Sequence, residues 1–334
     1  MSPRSSRRRQ GLSPLIVAWV LLLLGSRAWA QASWPDSSPH RSQMTEVAPG
    51  VSLEVLDWGG SGRSVVLLAG GGNTAHVFDT FAPLLAARHH VYGITRRGYG
   101  ASSKPASGYD GAGLADDVMA VLELLKIDRP LLVGHSVAGD ELTSIGARYR
   151  DRIAGLVYLE AAYDRSDPAW TEINSKLPPT APTPADRESV QALAGYMART
   201  LGAAIPQAEI YNEFEFTSDG HVGRFRIPQN VSRAIAAGVS KPDYARVRVP
   251  VLAIYAQLVS IEILPGYKAN DPAVKAALEE YRALTTARQR LESVAFQTSA
   301  RDSRVVWLAG SHYVFLSDGE GTAREIERFV EALR

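Results

Sequence analysis

Residues 130–139 read Pro-Leu-Leu-Val-Gly-His-Ser-Val-Ala-Gly, a short apolar run that ends in small residues around a serine. Leu131-Leu132-Val133 has the continuous apolar character of a strand covered on both faces. Beyond the serine, Glu141 to Tyr149 has helical character, so Ser136 falls where a buried strand meets a helix. A nucleophile on such a turn needs strained backbone angles and small residues two before and two after it. Gly134 and Ala138 fill those places. The turn lifts the Ser136 hydroxyl above the sheet and points the Val137 amide into the same space, beside a helix N-terminus that favours negative charge. As a string alone, the motif is equally a small-residue turn, and its placement is what gives it weight.

Outward from this turn the chain repeats one rhythm. Val51 to Asp57 alternates as a strand, Trp58 to Gly62 turns, and Ser64 to Ala69 is again a buried apolar run, followed at once by Gly70-Gly71-Gly72. Phe78, Phe81, Leu84 and Leu85 recur at helical spacing, His90 to Ile94 reads as a strand and Leu114 to Leu125 as a helix. After the turn, Ile153 to Leu159, Pro250 to Tyr255 and Arg304 to Leu308 read as strands. A long helix over Pro272 to Gln297 and an amphipathic one over Ile326 to Leu333 complete the pattern. Strands that alternate with helices of this length need crossover connections, which predicts an α/β core built on a mostly parallel sheet. The rhythm breaks over residues 163–246, where prolines at 178, 179, 182 and 184 precede apolar helical stretches near Val190 to Leu201 and Val231 to Val239. That segment is expected to be a helical cap inserted over the sheet's carboxyl edge, leaving residues 51–162 and 247–334 as the core. Residues 31–50, rich in Ser, Pro and polar groups, read as a flexible lead-in. No internal repeat is visible.

The 334 residues are 46% apolar and 21% charged, which excludes disorder and fibrous structure. The formal net charge of +1 conceals an asymmetry, because Arg4, Arg7, Arg8, Arg9 and Arg27 lie in the first thirty residues, which hold no Asp or Glu. Without those five, 31 of the 36 bases face 35 acids, a net charge of −4, with no basic block to mark a nucleic-acid partner. The leader reads as an export signal: a basic start, an apolar run from Leu15 to Leu24, and a small-x-small site at Ala28-Trp29-Ala30. About 10 strongly apolar residues fall short of the roughly 20 that span a membrane, so cleavage after Ala30 is expected to leave no stable anchor. Gln10 and Gly11 follow Arg8-Arg9 where a twin-arginine signal has apolar residues, which favours general secretion to the periplasm or beyond. There is no cysteine, so disulfides, thiolate metal sites and a thiol nucleophile are excluded. The seven histidines form no H-x-x-x-H pair, and neither a metal nor a cofactor is expected.

Two further motifs, Thr95-Arg96-Arg97-Gly98-Tyr99-Gly100-Ala101-Ser102 and Gly310-Ser311-His312-Tyr313, join the glycine loop and the Ser136 turn in an order that resembles the α/β-hydrolase superfamily. The resemblance implies an eight-stranded, mostly parallel sheet flanked by helices, with a lid after the sixth strand. It further implies a serine nucleophile at Ser136 and a base at His312, in the loop after the last strand. The acid departs from the commonest pattern, since Tyr255 to Glu262 contains no Asp. Some relatives carry the acid at the end of the sixth strand, where Glu160 stands here. Glu262 is the alternative acid, a chain with no functional acid is a third reading, and a salt bridge from Glu160 to an Arg of the cap is the structural alternative. The oxyanion hole is expected at the amides of Gly71 and Val137, although Ala69-Gly70 replaces the family's His-Gly. No Lys-Ser or Lys-Thr follows the glycines, which speaks against a phosphate-binding loop.

The implied activity is a cofactor-free serine hydrolase acting on a small acyl compound, a carboxylic ester first, with amides, lactones or carbon–carbon bonds as variants. A carboxylate nucleophile, needed for an alkyl–enzyme ester, is absent from the turn. A cofactor-free perhydrolase and a non-catalytic binding protein on the same fold are the alternatives. Trp170, Tyr196, Tyr211, Phe214 and Phe216 of the cap are candidates to line an acyl pocket or to form ordinary cap core. The oligomeric state leaves no trace in the sequence.

Overall fold

The computed structural model describes Trp34 and residues 36–333, except 179 and 269. The leader, and the export signal read there, lie outside the described residues. Among the described residues no helix is long and apolar enough to cross a membrane. Ten strands follow in chain order: β1 Arg41–Ala48, β2 Val51–Gly59, β3 Ser64–Leu68, β4 His90–Ile94, β5 Leu131–His135, β6 Gly155–Leu159, β7 Phe214–Phe216, β8 Val222–Phe225, β9 Val251–Gln257 and β10 Ser303–Ala309. The helices are α1 Ala82–Ala86, α2 Gly111–Leu124, α3 Ala138–Arg148, α4 Ala169–Asn174, α5 Val190–Leu201, α6 Gln207–Glu213, α7 Gln229–Gly238, α8 Pro272–Ser299, α9 Val314–Ser317 and α10 Gly319–Ala332.

Eight strands form one sheet in the order β1-β2-β4-β3-β5-β6-β9-β10. β2 pairs antiparallel with both β1 and β4, and every later pairing is parallel. The continuous apolar runs follow from this placement, since successive side chains of a strand face opposite sides. Val66, Leu68, Leu132, Leu156 and Tyr158 point into a core shared with α2, α3 and Phe296 of α8. Val65, Leu67, Val133, Val157 and Leu159 point into the other, shared with α1, Phe315 and α10. α8 starts where expected: Asp271 accepts from the amides of Ala273 and Val274, and Pro272 occupies the first turn.

The expected flexible lead-in is corrected over residues 41–48, which form β1 and complete the eight-stranded sheet at its edge. β1 is an edge strand on which only Thr45 is buried. Its polar residues on both faces erase the alternation that marks a half-buried strand, and they suit an edge that must resist pairing with other chains.

Residues 163–246 carry α4 to α7 and also a two-stranded antiparallel hairpin, β7–β8, which the helix-only reading of this segment did not anticipate. Its strands are three and four residues long, too short to show a period. α5 is delimited by Ser189, which accepts from the Ala192 amide, and by Gly202 in the left-handed conformation. Val190, Leu193, Met197, Ile205, Ile210, Phe216 and Val222 form a separate small core within the segment. It meets the sheet's carboxyl end: α6 touches the loop after β3, α7 packs on Tyr99 and Tyr109, and Tyr313 after β10 joins the small core.

Candidate active site

Ser136 sits between β5 and α3 with φ 54°, in the left-handed region that non-glycine residues seldom occupy. The backbone is held there by tight packing. A Cβ on Gly134 would lie 2.9 Å from Leu142, and one on Gly139 only 2.1 Å from the Ala161 carbonyl oxygen. Glu160, one residue past the adjacent β6, has φ 48°. Its amide donates to the Ile254 carbonyl at 2.9 Å, which carries the carboxylate up over the end of the sheet.

The loop after β10 brings His312 between them. His312 Nε2 lies 2.9 Å from Ser136 Oγ, and Nδ1 lies 3.1 Å from Glu160 Oε2. Nδ1 donating to the carboxylate fixes the tautomer that turns the Nε2 lone pair toward the serine hydroxyl. The other carboxylate oxygen, Oε1, accepts from Tyr163 Oη at 2.7 Å, the Ala256 amide at 2.6 Å and Gln289 Nε2 at 3.3 Å. Glu160 is only 4% exposed, and these donors offset the cost of burying its charge. Arg165 donates to the backbone carbonyls of Glu160 and Ala161, so the alternative of a side-chain salt bridge to a cap arginine is not what the structure places there. Glu262 is exposed on the turn Ile261–Ile263, and no hydrogen bond or ion pair joins it to His312.

His135 does not reach the nucleophile. Its ring is buried beneath the His312 loop, donates from Nε2 to the His312 carbonyl at 3.0 Å, and lies 4.7 Å from the His312 ring centroid. Burial pushes its pKa well below the ordinary histidine value, so it serves as a neutral support.

The amides of Gly71 and Val137 have no hydrogen-bond partner among the described residues, whereas the next amide, Gly72, faces Tyr99 Oη at 3.4 Å. A Cβ on Gly71 would meet the Val137 side chain at 3.6 Å, so the two residues face each other across a narrow gap. Arg96 braces this loop, donating to the carbonyls of Ala69 at 2.9 Å and Gly70 at 3.2 Å. Its charge is balanced by the buried carboxylate of Glu141 at 2.5 Å. Two cap carboxyls complete the shell. Glu209 and Glu213 of α6 both accept from Asn73 Nδ2, Glu209 also accepts from the Thr74 amide and hydroxyl, and Tyr313 donates to Asn73 Oδ1.

A cavity of about 520 Å³ opens onto Ser136 and His312. Trp170, Leu201, Leu258, Leu264 and Tyr281 are among its lining, together with polar residues such as Thr171, Asn174, Thr200 and Thr285. Of the five cap aromatics singled out, Trp170 lines it, whereas Tyr196, Tyr211, Phe214 and Phe216 pack into the cap's own core. Sequence reasoning missed Tyr163, Gln289, Glu209 and Glu213, which have no local motif; Arg96 lay within a quoted motif but without a role.

The chain matches the alpha/beta hydrolase family over residues 65–325. Among curated proteins, 2-(acetamidomethylene)succinate hydrolase of Mesorhizobium japonicum is 29% identical over 101 residues, 30% of this chain and 36% of that protein. Epoxide hydrolase A of Mycobacterium tuberculosis is 29% identical over 222 residues, 65% of this chain and 66% of that one. Among solved structures, an E-2-(acetamidomethylene)succinate hydrolase superposes with a TM-score of 0.61 at 22% identity, covering 88% of this chain and all of the other. The first curated relatives are matched over less than half of their length, and the structural likeness speaks for the fold alone. With the match spanning most of the core and a sheet in the same architecture, the chain belongs to the alpha/beta hydrolase family.

Proposed function

We propose that the protein is a serine hydrolase that cleaves a carboxylic ester through an acyl-enzyme on Ser136. The observation that carries this reading is the continuous chain from Ser136 Oγ through His312 to Glu160 beside two unpartnered amides. Serine is a weak nucleophile until a base takes its proton. His312 takes that proton as Oγ attacks the carbonyl carbon, and the amides of Gly71 and Val137 receive the negative charge on the carbonyl oxygen. His312 then returns the proton to the departing alkoxide. Water, deprotonated in turn by His312, releases the acid and restores Ser136. Two donors aimed at the developing charge are worth about 10²- to 10³-fold each in kcat in comparable sites. The apolar residues in the cavity's lining suit an acyl or alkoxy group of modest size.

A fluorophosphonate probe tests the reading. Labelling of Ser136 in the folded chain, lost in Ser136→Ala, is expected, with turnover of short aryl esters that disappears in His312→Ala. No labelling while a known esterase labels alongside would overturn it and leave a binding role. Export belongs to the same proposal on the leader's composition alone, and a mature chain beginning at Gln31 is the expected product.

A further inference from the structure

A second cluster of reactive side chains lies on the other side of the glycine loop, outside the cavity of Ser136. The segment before β1 folds back so that Asp36 and His40 meet His76 and Asp79, which sit on and just after the turn Ala75–Phe78. One ligand-type atom from each of the four lies within 4.8 Å of all the others. Asp36 Oδ2 is 3.4 Å from His40 Nε2 and 3.4 Å from His76 Nδ1, and His76 Nδ1 is 3.3 Å from Asp79 Oδ2. Charge-assisted hydrogen bonds settle at about 2.7–2.9 Å. These longer separations match the roughly 3.3–3.4 Å between neighbouring ligand atoms of a tetrahedral site with bonds of about 2.0–2.1 Å, although His76 Nδ1 to Asp79 Oδ2 is also within hydrogen-bond reach and Asp79 Oδ2 accepts from Ser38 Oγ at 3.1 Å.

The remaining ring nitrogens have partners of their own. His40 Nδ1 is 2.8 Å from Asp79 Oδ1, which also accepts from Trp58 Nε1 at 3.2 Å, and His76 Nε2 is 3.5 Å from Glu54 Oε1. A histidine that ligates a metal typically donates its other N–H to a carboxylate in this way, which fixes the free lone pair. Asp36, Asp79 and Glu54 face the two imidazoles, with the Arg226 guanidinium on the rim of the same hollow donating to the Phe214 carbonyl. Three carboxylates around two imidazoles give the cluster an excess of acidic groups, which favours a cation.

We propose that Asp36, His40, His76 and Asp79 bind one divalent transition-metal ion, with zinc the best match to two imidazoles and two carboxylates. The ion would fasten the segment before β1 to the turn that follows the glycine loop. Zinc lies outside the route of acyl transfer, so the site stands or falls independently of the esterase reading.

The test uses the folded chain stripped with a chelator and titrated with Zn²⁺ by calorimetry, with Co²⁺ as a coloured substitute. One saturable equivalent of Zn²⁺, a rise in Tm on binding and the intense visible band of tetrahedral Co²⁺ are expected. Asp36→Asn, at the more exposed edge of the cluster, and His40→Gln should each weaken Zn²⁺ at least tenfold, while His221→Ala, beside Asp219 on the surface, leaves it unchanged. Absence of a saturable equivalent in the unmodified chain overturns the site directly, whatever the variants do. Unchanged affinity in both Asp36→Asn and His40→Gln overturns the ligand assignment.

Discussion

The two oxygens of Glu160 do different work: Oε2 faces His312 Nδ1, and Oε1 collects Tyr163, Ala256 and Gln289. Glutamine in its place keeps the size but must satisfy three donors with its carbonyl, which turns its own NH₂ toward Nδ1. The opposite tautomer of His312 follows, and kcat for an aryl ester is expected to fall by about 10⁴-fold with KM little changed. Glu262→Gln, on the exposed turn, should stay near wild type, and the reverse ranking in steady-state kinetics would reassign the acid. Tyr163→Phe removes one donor from Oε1 and should cost about tenfold, a loss of roughly 1–2 kcal/mol. Glu160 was legible in the sequence as a carboxylate at the end of a buried strand. Gln289 was not, because 129 positions separate it from Glu160 and only the packing of α8 under β9 brings them together.

Helix α6 holds a device of its own. Burial raises the pKa of both Glu209 and Glu213 above the ordinary 4.5, and the charge of Glu209 raises Glu213 further. The folded chain thus prefers protons on this pair that the unfolded chain gives up near its ordinary value. Their contribution to stability is full below about pH 4.5 and declines as pH rises through the elevated values. Glu213→Gln keeps an acceptor for Asn73 and a donor for Glu209 without a titrating group. Thermal melts at about pH 5 and about pH 8 should show a smaller loss of Tm for this variant than for the unmodified chain, whereas equal losses would remove the pair from the balance. Element boundaries elsewhere were readable where apolar periodicity ran for five residues or more, as in β3, β5 and β6. β1 and the hairpin β7–β8 escaped because an edge strand and a three-residue strand leave no period to read.

Among the described residues, burial is divided into two extensive cores against the faces of the sheet, a smaller one inside the inserted segment, and two minor clusters, one around Tyr99 and Tyr109 and one around Leu258 and Leu278. The small core meets the sheet's loops through Tyr313 and Leu316, while α6 is tied down further by the contacts of Glu209 and Glu213 with Asn73 and Thr74, and α7 by Tyr99 and Tyr109. A core this small should open locally more easily than the sheet, and hydrogen exchange by mass spectrometry is expected to deprotect α5 and the hairpin β7–β8 before β3, β5 and β6. Simultaneous exchange would mean that cap and sheet unfold as one unit. The cluster of Asp36, His40, His76 and Asp79 belongs to this scale too, for its two histidines come from distant segments and no spacing rule in the sequence joins them. The left-handed turns at Ser136 and Glu160 have a consequence for anyone breeding this protein. Such conformations cost a side-chain-bearing residue about 1–3 kcal/mol, and glycine hardly at all. Ser136→Gly should melt higher than its parent while being chemically dead. A library sorted on expression or heat resistance alone would enrich that variant, and its best-yielding clones would be the ones that had discarded the nucleophile.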